Sequence, residues 1–100
     1  MANLITVYWR DIPAQVMAKE RRTTAKKELS SRFAEAIDHA AMRADMVGTD
    51  AYLEQWRRVS EPCGDDLDTI AGEAAERIET EYDKERLLSL IKNKGLEPSA

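Results

Sequence analysis

The chain has 100 residues, 15 of them Lys or Arg and 19 Asp or Glu, for a formal net charge of −4. That length fits one domain, and that balance excludes an overall basic coat for nucleic acid while permitting a local basic patch. A single cysteine excludes an internal disulfide and any multi-cysteine metal site.

Residues 4–10 (Leu-Ile-Thr-Val-Tyr-Trp-Arg) are β-branched and aromatic, the composition of a strand. Ile5, Val7 and Trp9 share one face and Leu4, Thr6, Tyr8 and Arg10 the other, so both faces carry apolar groups. Asp11-Ile12-Pro13-Ala14 breaks the pattern, because Pro13 removes a ladder donor and disfavours helix at Ile12. Residues 15–19 return as a second, antiparallel strand. The stretch from Lys19 to Arg32 holds six cations against Glu20 and Glu28, and Thr23-Thr24 makes it an irregular or extended connector.

Phe33, Ala36, Ile37, Ala40, Ala41 and Ala44 recur at helical spacing and predict a helix over 31–46. Ser30 or Ser31 caps its start, and Gly48 suits a left-handed position past its end. Asp50 opens a shorter amphipathic piece with Tyr52, Leu53 and Trp56 on one side and Glu54, Arg57 and Arg58 on the other. Ser60 to Asp65 is a loop by composition. Asp65 or Asp66 caps a further helix with the stripe Leu67, Ile70, Ala71, Ala74, Ile78 and Tyr82. That stripe slips after Tyr82, which favours a break and a last helix capped by Asp83 over one uninterrupted helix from 66 to 93. Residues 61–85 hold ten acids against Arg77 and Lys84. Such segregated charge favours pairing of the basic and acidic regions, within the fold or between subunits.

Several residues are candidates for chemistry. The string Trp9, Arg10, Asp11, Pro13 and Gln15 is dense in binding side chains: Arg10 can clamp a carboxylate or phosphate, Asp11 can orient it and Trp9 can stack on a planar ligand. The competing reading makes Trp9 core, Arg10 and Asp11 a surface pair, and Asp11-Ile12-Pro13 turn chemistry. Lys19, Arg21, Arg22, Lys26 and Lys27 form a basic patch able to engage phosphate or an acidic protein surface. No aromatic is interleaved there, which disfavours nucleic acid. His39, the one histidine, reads as a surface residue. Cys63 precedes a helix N-terminus, but Asp65 and Asp66 oppose its ionisation. Carboxylate pairs such as Glu73 with Glu76 read as a solvated helix face. No cofactor and no metal is expected.

Apolar runs such as Ala40-Ala41-Met42 fall far short of the roughly 20 residues of a membrane span, so no membrane association is expected. The opening segment lacks a basic start and a small-residue cleavage site, and the cytoplasm is the expected compartment.

The string Val7-Tyr8-Trp9-Arg10-Asp11-Ile12-Pro13-Ala14-Gln15-Val16 resembles the opening of a small bacterial family catalogued only as "virulence factor". Arg32-Phe33, Ala36-Ile37-Asp38, Ala40-Ala41-Met42-Arg43, Thr49-Asp50-Ala51-Tyr52-Leu53 and Trp56-Arg57-Arg58 are similar to its later segments. Trp9 to Gln15 is the most specific part of the likeness, and Met17-Ala18 departs from the more usual Ile-Val. The resemblance implies an accessory module rather than a defined activity. Some stand-alone members of that family neighbour methylenetetrahydrofolate-reductase-like and corrinoid methyltransferase genes, and the resemblance as a whole raises the weight on Trp9 to Gln15.

The expected architecture is α+β: an N-terminal antiparallel β-hairpin packed against three or four α-helices. Residues 1–95 form a single domain and 96–100 a frayed tail. Trp9, Val7, Phe33, Ile37, Leu53, Trp56, Ile70, Ile78 and Leu87 supply the core. The hairpin leaves an open edge, with Lys19, Arg21 and Arg22 as its block, and its tight bend faces outward. The expected function is a non-catalytic accessory module that docks a larger cytoplasmic enzyme or its own twin. The alternative is a component of a one-carbon (tetrahydrofolate or corrinoid) methyl-transfer system, with Arg10, Asp11 and Gln15 lining a shared site.

Overall fold

The computed structural model describes residues 2–97. Its elements are β1 (Asn3–Trp9), β2 (Ile12–Glu20), β3 (Thr23–Glu28), α1 (Ser31–Arg43), α2 (Asp50–Glu54), β4 (Trp56–Pro62), α3 (Leu67–Glu81) and α4 (Lys84–Lys92). The fold is α+β, with one antiparallel sheet in the order β3-β2-β1-β4.

β1 and β2 form the expected hairpin around Arg10 and Asp11, with Trp9 opposite Ile12. The register shifts between Val7 and Tyr8, so Val7 faces Gln15 while Tyr8 faces Pro13. Ala14 is the extra residue of this bulge. The irregularity lets a proline sit inside a strand that is flanked on both sides.

The sheet is wider than a hairpin. The connector expected between Lys19 and Arg32 is largely β3, paired with β2 from Gln15–Glu28 to Glu20–Thr23. The open edge is therefore not on β2, and Lys19, Arg21 and Arg22 do not block it. The amphipathic piece after Asp50 is helical only to Glu54. Trp56 to Pro62 then extends along β1 as β4, where a helix and loop were expected. Ladder pairing overrides the weak local pattern in both segments.

Leu4, Val16, Ala18 and Ala25 lie on one face of the sheet by register and are buried. α3 packs on β2 and β3, and α1 packs on α4. Phe33, Ala36, Ile37, Ala40 and Ala41 of α1 join Ala71, Ala74 and Ile78 of α3 and Leu87 and Leu90 of α4 in one core. Three expected core residues stand outside it: Leu53 is 65% exposed, Trp56 is 36% exposed, and Val7 is half-buried on the opposite sheet face.

α1 stops at Arg43, short of the expected 46, and Asp45 (φ 56°) takes the left-handed position that follows it, with Gly48 (φ +77°) in the next turn. Ser30 is the N-cap residue of α1 but makes no side-chain cap bond, and neither does Asp66 at α3. Asp83 does cap α4, accepting from the Arg86 N–H at 2.9 Å, so residues 66–93 are two helices. At the start of the expected tail, the Leu96 N–H donates to the Asn93 carbonyl at 3.2 Å and the Glu97 N–H to Asp11 Oδ2 at 2.7 Å. Residues 98–100 of the expected tail lie outside the described residues.

Candidate functional site

Opposite residues of an antiparallel ladder share a face. Ile5 stands between Met17 and Ser60, and Val7 between Gln15 and Arg58. These residues lie on the face turned away from Leu4 and Ala18. Ile5, Val7 and Met17 are half-buried by their strand neighbours and take no part in the core. Trp56 extends the apolar stripe. Lys19 (opposite Asn3 and Thr24), Lys26 (opposite Met17) and Arg58 rim it. Glu28 is the acid of this strand face, and Lys26 Nζ approaches it at 3.7 Å.

One end of this face runs into a cleft of about 290 Å³ between the sheet and α1, lined by Gln15, Ile37, Asp38, Tyr52 and Trp56 among others. Tyr52 meets Trp56 edge-on, with ring centroids 6.1 Å apart. Burial pushes the Tyr52 hydroxyl above the usual phenol range, and the Asp38 carboxylate adds to the rise. The cleft is thus a notch with an amide (Gln15), two carboxylates (Glu28 and Asp38) and a protonated phenol (Tyr52) in its lining.

The string from Trp9 to Gln15 divides in two. Trp9 and Pro13 are fully buried. Trp9 donates its Nε1–H to the Tyr52 carbonyl at 2.9 Å and packs against Gly95. Arg10 takes a left-handed backbone (φ 55°). Its guanidinium donates to Gln55 Oε1 at 3.2 Å, the Lys94 carbonyl at 2.9 Å and Met46 Sδ at 3.3 Å. Asp11 accepts from Arg57 Nη2 at 3.1 Å and from the Glu97 N–H. The bend, expected to face outward, lies at the surface with Arg10 and Asp11 partly exposed, and it is clamped by Gln55, Arg57 and the segment that follows α4. Arg10 and Asp11 direct their polar atoms into the chain, and Gln15 alone of the string reaches the open face.

Lys19, Arg21, Arg22, Lys26 and Lys27 are all exposed on the β2–β3 hairpin. They divide between the two sheet faces and the turn, so the basic stretch is a strand pair with a charged rim rather than a connector. His39 is exposed and lines a groove of about 320 Å³ between α1 and α4, floored by Ala36, Leu87, Leu88 and Ile91. Cys63 is half-buried, and its N–H donates to the Ala2 carbonyl.

The pairing of basic and acidic regions is realised at one joint. Arg32 of α1 donates to the Glu79 carboxylate at 3.0 Å, to the Glu79 carbonyl at 2.6 Å and to the Tyr82 carbonyl. Ser30 adds its N–H and Oγ–H to the same carboxylate at 2.6 and 2.8 Å. Burial raises the Glu79 carboxyl, but the Ser30 and Arg32 hydrogen bonds and the Arg32 charge outweigh it and hold the group below its ordinary range.

Among the described residues, no helix is long and apolar enough to cross a membrane, and no group of three or more His, Cys, Asp or Glu is placed to hold a metal ion.

The sequence shows apolar groups on both faces of β1, but Ile5, Val7 and Met17 read there as ordinary strand residues and do not stand out as a site. The available signal was alternation: each is next to a residue of the core.

No curated protein and no solved structure matches this chain. A family model described as "Virulence factor" matches residues 7–91, from within β1 to α4, and so takes in the clamped bend, Gln15, Trp56 and Arg58. By that match, the chain belongs to the virulence-factor family.

Proposed function

We propose that this chain is a non-catalytic interaction module that docks a larger protein through the uncovered part of the sheet face bearing Ile5, Val7 and Met17, beyond the end of that face that Trp9 and Ile12 bury in the core. The observation that carries the reading is the stripe of Ile5, Val7, Met17 and Trp56 on that face, outside the core and rimmed by Lys19, Lys26 and Arg58. An apolar centre inside a charged rim is the anatomy of a protein–protein interface. The partner has an apolar patch bordered by Asp or Glu. The rim charges govern approach, and the apolar centre governs residence. The neighbouring cleft, with Gln15 and Tyr52 at its mouth, takes one protruding side chain of that partner.

The test is native co-purification from the bacterial cytoplasm with paired surface variants. Ile5→Thr combined with Met17→Thr is expected to release the partner while leaving the circular dichroism spectrum unchanged. Lys19→Glu combined with Arg58→Glu is expected to weaken capture at low salt and to matter less at high salt. Capture that survives both double variants, or a chain that brings down nothing at low or moderate salt, overturns the reading.

A further inference from the structure

The outer strand β4 is exposed at all seven positions, and it is the edge of the sheet beside β1. An exposed edge is a template for another strand. The far edge, β3, carries Lys26 and Lys27 at consecutive exposed positions, a common way of blocking such pairing; β4 carries Arg57 and Arg58 likewise, but there Glu61 can give Arg57 a counter-charge across a two-fold axis.

The phase of the free backbone groups on β4 follows from its ladder with β1. The Cys63 N–H donates to the Ala2 carbonyl, and the Arg10 N–H donates to the Gln55 carbonyl, each at 3.1 Å. These bonds bracket the ladder in the register Asn3–Pro62 to Trp9–Trp56. Hydrogen-bonded and non-hydrogen-bonded pairs alternate along an antiparallel ladder. Arg57, Val59 and Glu61 therefore turn their backbone groups inward to β1, while Trp56, Arg58, Ser60 and Pro62 turn theirs outward.

The strand reads Trp56-Arg57-Arg58-Val59-Ser60-Glu61-Pro62, and it is self-complementary about Val59. A two-fold axis there sets Arg57 opposite Glu61 of the second copy, twice. Trp56 stacks on Pro62, Arg58 faces Ser60, and the two Val59 side chains meet at the axis. Arg58 and Ser60 exchange both N–H···O=C bonds in each half, and each Trp56 N–H finds a Pro62 carbonyl, for about six inter-chain hydrogen bonds. Pro62 has no N–H to offer, and it sits where the pairing ends. The neighbouring registers that keep this phase are poorer. Centring on Arg58 sets Arg58 against itself, and centring on Ser60 sets Val59 against Glu61.

We infer that β4 pairs antiparallel with β4 of a second copy about Val59, joining two four-stranded sheets into one continuous sheet of a symmetric dimer. Val59 is 43% exposed and becomes buried at the axis. The Arg57 guanidinium, already donating to the Arg10 carbonyl and Asp11, has N–H groups left for the incoming Glu61. The pairing goes beyond the docking reading and rests on the backbone edge of β4; the two surfaces share Trp56 and Arg58, while Ile5, Val7 and Met17 lie off the pairing line.

Sedimentation equilibrium of the full chain tests it, with the expectation of twice the 11.3 kDa mass of one chain. Ser60→Pro removes an outward N–H and leaves the β1 ladder intact, and it is expected to return the protein to the single-chain mass. Glu61→Lys sets like charges opposite and is expected to weaken dimerisation at least tenfold. In a Cys63→Ser background, Val59→Cys is expected to form an inter-chain disulfide with oxidised glutathione, since facing Cα atoms of a non-hydrogen-bonded pair lie about 4.5 Å apart. Val47→Cys, an exposed control, is expected to stay uncrosslinked. Single-chain mass up to millimolar concentration overturns the inference. So does a dimer indifferent to Ser60→Pro, or a dimer whose Val59→Cys form does not crosslink. A dimer that persists in Ile5→Thr combined with Met17→Thr, whether or not a partner is captured, supports pairing through the β4 edge.

Discussion

A methyl group added at Gly95 would sit 2.7 Å from Cζ3 and 3.2 Å from Cε3 of Trp9, both atoms of a ring with no exposed surface. Gly95 also has φ +89°, where an L side chain is strained, and its carbonyl accepts the Asp11 N–H at 2.9 Å. Three requirements meet at one position: a left-handed backbone, close approach to an indole, and a bond that holds the β1–β2 bend. Gly48 meets only the first, with φ +77° and no atom within 4 Å of an added Cβ. Gly48→Ala is therefore expected to cost about 1 kcal/mol, from the backbone alone. Gly95→Ala is expected to cost about 3 kcal/mol, since the overpacked indole has no free volume to move into. Urea unfolding of the two variants measures the difference. Equal losses would mean that Trp9 is not packed on Gly95 as described.

Helix α1 enters the fold through a joint that local capping rules do not describe. Ser30 occupies the N-cap position, yet its hydroxyl donates to Glu79 rather than accepting from its own helix. Arg32 meanwhile holds carbonyls at the end of α3, where orphan acceptors and the negative end of the helix dipole attract a cation. Glu79 receives both residues, and its carboxyl is held below the ordinary value. A carboxyl depressed in the folded state contributes stability that is present above its unfolded value of about 4.3 and is lost as pH falls through the lower, folded value. Glu79→Gln is expected to cost about 1 kcal/mol at pH 7, a figure reduced for partial solvent exposure of the pair. The variant and the parent are expected to converge as pH falls below about 4. Thermal melts across pH 7 to 3 check this, and a gap that widens toward low pH would contradict it. The joint also shows what composition reveals of the elements. β1, α1, α3 and α4 announce themselves because their apolar residues recur with a strand or helix period. β3 and β4 do not: of β3 only Ala25 is buried, and of β4 nothing is. β3 exists by pairing with β2 across the two-residue turn Arg21-Arg22, and β4 by pairing with β1, which lies far away in the chain. The Trp9 to Gln15 string is legible as special, but its density of polar groups serves to clamp the bend. That purpose becomes visible only when Gln55, Arg57, Lys94 and Glu97 are brought to it from elsewhere in the chain.

At the scale of the whole molecule, the sheet has two unlike faces. Adjacent residues of β1 report on them separately, because consecutive side chains of a strand point to opposite sides. Leu4 is 6% exposed and belongs to the core, while Ile5 is half-buried and does not. Leu4→Thr removes buried methyl groups and buries a hydroxyl, for an expected loss of about 3 kcal/mol and a fall in Tm of 10 °C or more, on the order set for a domain of this length. Ile5→Thr keeps a β-branched residue on a face without a covering layer, and the expected loss is about 1 kcal/mol or less. Differential scanning calorimetry of the dilute single chain separates the two. Comparable losses would mean that both faces are covered within one chain, and the apolar stripe would then be core and not surface. If the asymmetry holds, Ile5, Val7, Met17 and Trp56 form an apolar stripe that the fold of one chain leaves without a covering layer. On the docking reading proposed above, the Lys19, Lys26 and Arg58 charges at the border of that stripe would favour an acidic surface in the partner.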